Sequence, residues 1–330
     1  MAALAVSLGD PAGVGPELIA AAWAAREHQR LPPFFAVGGA ELLAAAAARR
    51  GLNIAVRRIF DPAEAARVFP TALPVLGDDD TAYCPGAPCR DGAAFALASL
   101  TRAAALAVSG TAAAIVTGPV AKSRLAEVGF NYPGQTEFVA AACGVAPDDA
   151  VMMLAGPSLR TVPLTVHVAL ADVPRLVTQP LIERRARIVA QALRLDFGLA
   201  APRIAIAALN PHAGEDGKFG DEDQRIVAPA IAALQAEGLL VSGPHPADAL
   251  FAPHNRDTFD AALCMYHDQA LIPIKALDFE AGVNITLGLP IVRTSPDHGT
   301  AFTIAGTGRA HAGATIAALR MAAECAARRA

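Results

Sequence analysis

Short apolar runs bounded by glycine, proline or aspartate alternate along the chain with longer alanine-rich segments. The runs at residues 4–8, 34–37, 54–59, 113–117, 161–168, 204–209 and 261–265 have strand length and little polar alternation, the pattern of strands covered on both faces. Between them the spacing predicts a helix over residues 17–30, after a glycine-rich turn at 9–15, and an amphipathic helix that Thr178-Gln179-Pro180 opens and Leu195 closes. Strands alternating with helices in this way predict βαβ units around a largely parallel sheet, an α/β fold.

A length of 330 residues exceeds one ordinary domain and predicts two α/β-sized units. The apolar fraction of 54% and mean hydropathy of +0.38 point to a membrane only until alanine is discounted. In residues 92–121 the lone charge is Arg102, yet Ser99, Thr101, Ser109, Gly110, Thr111 and Gly118 divide the stretch into a helix and then a strand, so no span is expected. The N-terminus lacks the basic segment of a signal peptide and reads as a first strand. Five cysteines lie scattered without a paired spacing, which predicts a reducing, cytoplasmic setting. Net charge is −4 and the densest basic cluster is Arg184-Arg185-Ala186-Arg187, so nucleic acid is not expected as a partner.

Chemistry in such folds is expected in the loops after the strands. The loop Gly9-Asp10-Pro11-Ala12-Gly13-Val14-Gly15 lacks the third glycine of a dinucleotide fingerprint, and a tight turn before a helix explains it as well as an anion cradle does. Thr117-Gly118-Pro119-Val120-Ala121-Lys122-Ser123 resembles the tail of a P-loop without its second glycine. In the polar loop that follows residues 204–209, Asp221 is expected to cap the next helix. Three strand ends carry a histidine: His167, His212 and His267. Each alone reads as a structural histidine. Together they predict a site for a borderline divalent ion with positions left open for substrate oxygens. Lys275, Asn284 and Arg293 stand among apolar strand residues where an unpaired charge is costly, which points to an anion pocket.

Six motifs carry a family resemblance: residues 9–17, Pro133-Gly134-Gln135-Thr136-Glu137-Phe138, and residues 209–215, 265–269, 282–290 and 293–300. Over essentially its whole length the chain resembles the 4-hydroxythreonine-4-phosphate dehydrogenase family of pyridoxal 5′-phosphate synthesis. Asp297-His298-Gly299-Thr300 with Ile304-Ala305-Gly306 also looks like the cofactor loop of the isocitrate and isopropylmalate dehydrogenase fold. The resemblance implies two α/β/α domains with a cleft between them, residues 1–128 plus 300–330 forming one and 129–299 the other, which carries the metal and phosphate sites. It implies NAD or NADP, with Asp297, His298 and Gly299 at the cofactor, and one divalent ion, zinc, magnesium or cobalt. His167, His212 and His267 fall on the family's metal ligands, His267 reaching over from the partner in a homodimer. Gln135, Thr136, Lys275, Asn284 and Arg293 fall on its substrate-binding positions, and Asp268 or Lys275 is the candidate base. The implied reaction is NAD(P)-dependent oxidation of 4-phosphooxy-L-threonine to 2-amino-3-oxo-4-phosphooxybutanoate, which decarboxylates to 3-amino-2-oxopropyl phosphate. The family often has histidine where this chain has Gln135, an amide that donates and accepts but cannot be charged. A related substrate therefore stays open: 4-phosphothreonate, 4-phosphoerythronate or an aromatic diol dicarboxylate. A metallohydrolase, or a non-catalytic metal- and anion-binding protein, is the alternative of another class.

Overall fold

The computed structural model describes residues 2–330. Its strands are β1 Leu4–Ser7, β2 Phe34–Val37, β3 Val56–Ile59, β4 Leu73–Leu76, β5 Ile115–Thr117, β6 Val151–Ala155, β7 Arg160–Thr165, β8 Arg203–Ala207, β9 Leu240–His245, β10 Ala261–Tyr266, β11 Val283–Leu287 and β12 Arg293–Pro296. The main helices are α1 Gly15–Ala24, α2 Ala40–Arg49, α3 Arg90–Val108, α4 Gln135–Ala142, α5 Gln179–Leu195, α6 Ala228–Ala236, α7 His267–Asp278 and α8 Gly313–Arg329. The chain forms two compact units. One runs to Ala150 and resumes over Leu289–Ala330; the other is Val151–Gly288.

The first unit is a parallel sheet in the order β3-β4-β2-β1-β5-β12. Phe34, Phe35, Leu4, Leu73 and Ile115 are almost wholly buried on it, which explains runs with no polar alternation. α3 is long and apolar enough to cross a membrane, but half of that stretch is buried inside the fold. Its Ala96, Leu100, Ala103 and Ala104 enter the same core as Phe35 and Ile115, as expected of a core helix.

The second unit orders its strands β11-β6-β7-β10-β8-β9. Four of them, β7, β10, β8 and β9, run parallel, while β6 is antiparallel to both β7 and β11. Because β7, β10 and β8 are adjacent and parallel, their carboxyl ends emerge side by side, about 4.8 Å apart from strand to strand. The core beneath them is built from Leu154, Leu159, Ala205, Ala207, Ala262, Cys264 and Ile274. α5 begins as expected: the Thr178 hydroxyl accepts from the Leu181 amide at 3.4 Å.

Three expectations need correction. α1 stops at Ala24 rather than residue 30, because the chain leaves the helix and reaches a left-handed Arg30 (φ 50°). The unit boundaries fall at 150 and 289 rather than 128 and 300. Val139 and Ala140 of α4 share a buried cluster with Ala150 and Leu289, and β12 pairs with β5, so residues 129–150 and 289–299 belong to the first unit. The phosphate candidates Gln135, Thr136 and Arg293 therefore lie in the first unit and the histidines in the second.

Candidate active site

His167, His212 and His267 all follow the carboxyl ends of the adjacent strands β7, β8 and β10. His167 lies beyond β7 rather than within it, with φ 54°, and His212 has φ 51°. Left-handed backbone is unfavourable for a residue with a Cβ, and two such residues at one sheet edge mark a functional site. His267 opens α7 directly after β10, and its Nδ1 stands 2.7 Å from Asp268 Oδ1. A carboxylate only accepts, so Nδ1 carries the proton and Nε2 is the nitrogen left for a metal. The His167 and His267 rings lie 6.0 Å apart and border a cavity of about 330 Å³ that Thr165, Val168, Tyr266 and Asp268 also line. The His212 ring packs near Phe219, 6.2 Å away.

As donors, neutral imidazoles fixed by a carboxylate suit zinc or cobalt. The count within one chain is different: among the described residues no group of three histidine, cysteine, aspartate or glutamate side chains gathers around a single point. Of the three, His167 and His267 have their rings 6.0 Å apart. Eight residues along α7, Lys275 is half-buried. Asp268 is exposed. Asn284, on β11, has its side-chain oxygen buried with no hydrogen-bond partner among the described residues, a donor-seeking group of the kind that otherwise costs stability.

In the first unit, Arg293 opens β12 and is 3% exposed. Its Nη2 donates to Thr117 Oγ1 at 2.8 Å and its Nη1 to Thr136 Oγ1 at 3.4 Å. Burial pulls its pKa down to about 10, with Glu137 opposing the shift, so the guanidinium stays charged at neutral pH. Gln135 Nε2 donates to the Gly118 carbonyl at 3.1 Å, which leaves its buried Oε1 without a hydrogen-bond partner. Gly134 precedes α4 with no side-chain cap. A buried guanidinium bonded to the hydroxyls of Thr117 and Thr136, with Gln135 nearby on the same segment as Thr136, is a candidate anion-binding group. His298 Nδ1 faces the Gly299 carbonyl at 3.0 Å and its Nε2 is buried without a hydrogen-bond partner. The adjoining Thr300 carbonyl accepts from the Val14 amide, which joins the candidate cofactor segment to the glycine-rich loop.

That loop is not an open anion cradle. Ala12 N donates to Asp10 Oδ1, Gly13 N to Asp10 O and Val14 N to Thr300 O, so these amides are spent within the protein. Asp221 does not cap a helix but pairs with Arg225 at 3.3 Å. The aspartate that matters there is Asp223, 1% exposed, which sequence reading missed. An acidic residue just ahead of the apolar Ile226 and Val227 was the available signal.

A family model described as pyridoxal phosphate biosynthetic protein PdxA matches residues 30–322. The chain is 62% identical over 327 residues to a 4-hydroxythreonine-4-phosphate dehydrogenase from Erythrobacter litoralis, covering 99% of this chain and 97% of that protein. It is 52% identical over 328 residues to one from Zymomonas mobilis, covering 99% and 96%. Among solved structures, 4-hydroxythreonine-4-phosphate dehydrogenase from Klebsiella pneumoniae is similar with a TM-score of 0.86 and 38% identity, covering 99% of this chain and 100% of that one.

Proposed function

The chain belongs to the pyridoxal phosphate biosynthetic protein PdxA family, and from that premise we propose that it oxidises 4-phosphooxy-L-threonine to 2-amino-3-oxo-4-phosphooxybutanoate, which loses carbon dioxide to give 3-amino-2-oxopropyl phosphate. One observation carries the reading: three adjacent parallel strands of the second unit each deliver a histidine at the carboxyl edge, two of them on left-handed backbone. The relatives at 62% and 52% identity bear this enzyme's name, which favours it over the related substrates and over a hydrolase or a non-catalytic binder.

His167, His212 and His267 are the residues that would hold a divalent ion, zinc, cobalt or magnesium, and such an ion supplies Lewis-acid polarisation of the substrate hydroxyl. Asp297, His298 and Gly299 are the candidate residues to hold an NAD-type cofactor, NAD or NADP, which would supply the hydride acceptor when bound. Asp268 holds the His267 ring through the 2.7 Å contact, and Lys275 on the same helix is the base we favour for the hydroxyl proton. In the first unit Arg293, Thr136 and Gln135 bind an anionic group. In the second, the Asn284 side-chain oxygen accepts from a substrate donor. The family resemblance supports a homodimer in which His267 is supplied by the second copy. The proposed phosphorylated substrate and nicotinamide cofactor, with cysteines scattered without a paired spacing, favour a cytoplasmic setting.

NADH formation compared across 4-phosphooxy-L-threonine, 4-phosphothreonate and 4-phosphoerythronate tests the reading, with turnover expected for the first. No turnover of that substrate overturns the choice, and activity without nicotinamide cofactor returns the hydrolase. Lys275→Met is expected to abolish turnover while metal uptake persists, whereas Asp268→Asn weakens metal uptake.

A further inference from the structure

Between β8 and the next helix, six successive residues adopt left-handed backbone: His212, Ala213, Gly214, Glu215, Asp216 and Gly217, with φ of 51, 54, 80, 40, 56 and 86°. Only two are glycine. A turn of this kind persists where its surroundings over-determine it. Its own bonds are local, Glu215 N to His212 O at 3.2 Å and Gly217 N to Gly214 O at 2.9 Å. What ties its root to the unit is Asp223. Oδ1 of Asp223 accepts from Leu209 N at 2.8 Å, and Oδ2 from Asn210 N at 3.0 Å, at the point where the chain leaves β8 for His212. Asn210 Nδ2 in turn donates to Glu222 Oε2 at 2.8 Å. A Cβ on Gly214 would lie 3.8 Å from Asp223 Oδ2, so the turn folds back over the same carboxylate. Asp223 also opens a π-helical turn, Asp223–Val227, and such turns are frequent at functional sites. Two irregular segments thus meet at one buried side chain.

We propose that Asp223 is a positioning residue: by holding the Leu209 and Asn210 amides it fixes the left-handed turn that aims the His212 imidazole. This rests on the reading of His212 as a metal ligand. An anchor that merely closes a loop would lower stability and leave metal affinity alone. One that aims a ligand changes affinity through that ligand, as partners behind metal-binding side chains do.

The test is titration of the full-length protein with Co(II), followed by its visible absorption, alongside thermal unfolding. Asp223→Asn is expected to weaken Co(II) binding by roughly 10- to 100-fold and to alter the visible band while the far-ultraviolet circular dichroism stays unchanged. In the His212→Ala background the same substitution is expected to add almost nothing, because residues acting through one group are not additive. Where Asp223→Asn does not fold, Glu222→Ala, which removes the acceptor of Asn210 and keeps the buried carboxylate, decides in the same titration. Wild-type Co(II) affinity in the folded variant, or a loss that adds in full to that of His212→Ala, overturns the proposal. A wild-type protein that takes up no Co(II) overturns the metal reading itself and this proposal with it, and that outcome is separable because it appears before any substitution is made.

Discussion

Arg293 and Asp10 are buried charges with opposite consequences. Burial lowers the Arg293 pKa to about 10, so the folded state disfavours its charge, and that penalty is present at every pH below about 10. Its guanidinium nevertheless satisfies the Thr117 and Thr136 hydroxyls, and stranding a buried polar partner costs about 1–3 kcal/mol. Arg293→Met is therefore expected to lower the melting temperature between pH 6 and 9 and to lower kcat/KM by about 10- to 150-fold, the loss of one charge-assisted contact worth roughly 1.5–3 kcal/mol. Steady-state kinetics beside thermal melts checks both halves; unchanged kcat/KM refutes the anion-binding role. Asp10 is 3% exposed, and desolvation raises its pKa above 3.8 against the Ala12 amide and Arg124, which pull it down. A raised folded pKa means that its contribution is most favourable below the unfolded value and is lost as pH rises through the folded one. Asp10→Asn, whose Oδ1 still accepts from Ala12, is expected to melt higher than wild type at pH 7, the gap closing as pH falls toward about 4. Melts across that range test the sign.

At the scale of elements, α3 decides between a membrane segment and a core helix. Leu100 on it is fully buried, so Leu100→Ala is expected to cost about 2–5 kcal/mol in urea unfolding without detergent; a lipid-facing Leu100 would show almost no loss. The sequence pattern revealed strands whose apolar runs are continuous, such as β2 and β10, because burial on both faces leaves a local signature, although it missed the equally apolar β4 and β6. It did not reveal β12, Arg293-Thr294-Ser295-Pro296, which is polar yet wholly buried. Its side chains are satisfied by distant partners, Arg293 by Thr117 and Thr294 by the Ala318 carbonyl, and no local window contains those partners. β11 was readable in part: Val283, Ile285 and Leu287 alternate with Asn284 and Thr286, the period-2 signal of its antiparallel pairing with β6. The histidines were legible one by one as residues after strands. Their adjacency follows from the order β7-β10-β8, which depends on a crossover that spacing along the chain does not encode. The left-handed turn at 212–217 had a weaker signal, since Gly214 and Gly217 flank residues that give no hint of positive φ.

For the whole molecule the open quantity is the number of copies. α7 begins with His267 and carries Lys275, yet Ile272 is 65% exposed, and Leu277 and Phe279, on and just beyond the helix, are 43% and 77% exposed. Exposed apolar side chains such as Ile272 and Phe279 are a candidate surface for a second copy to cover. In a two-fold dimer the patch would meet its own counterpart, so one substitution acts twice across the interface. The same helix supplies His267, so in the proposed homodimer a contact that closes on α7 would couple assembly to metal binding. Phe279→Asp, combined with Ile272→Asp, is expected to shift sedimentation from dimer to monomer and to weaken Co(II) binding over the same range of protein concentration, the two curves sharing a midpoint. A wild-type protein that sediments as a monomer and still binds Co(II) tightly would mean instead that His212 swings in to join the other two within one chain, and the copy number would then carry no part of the chemistry.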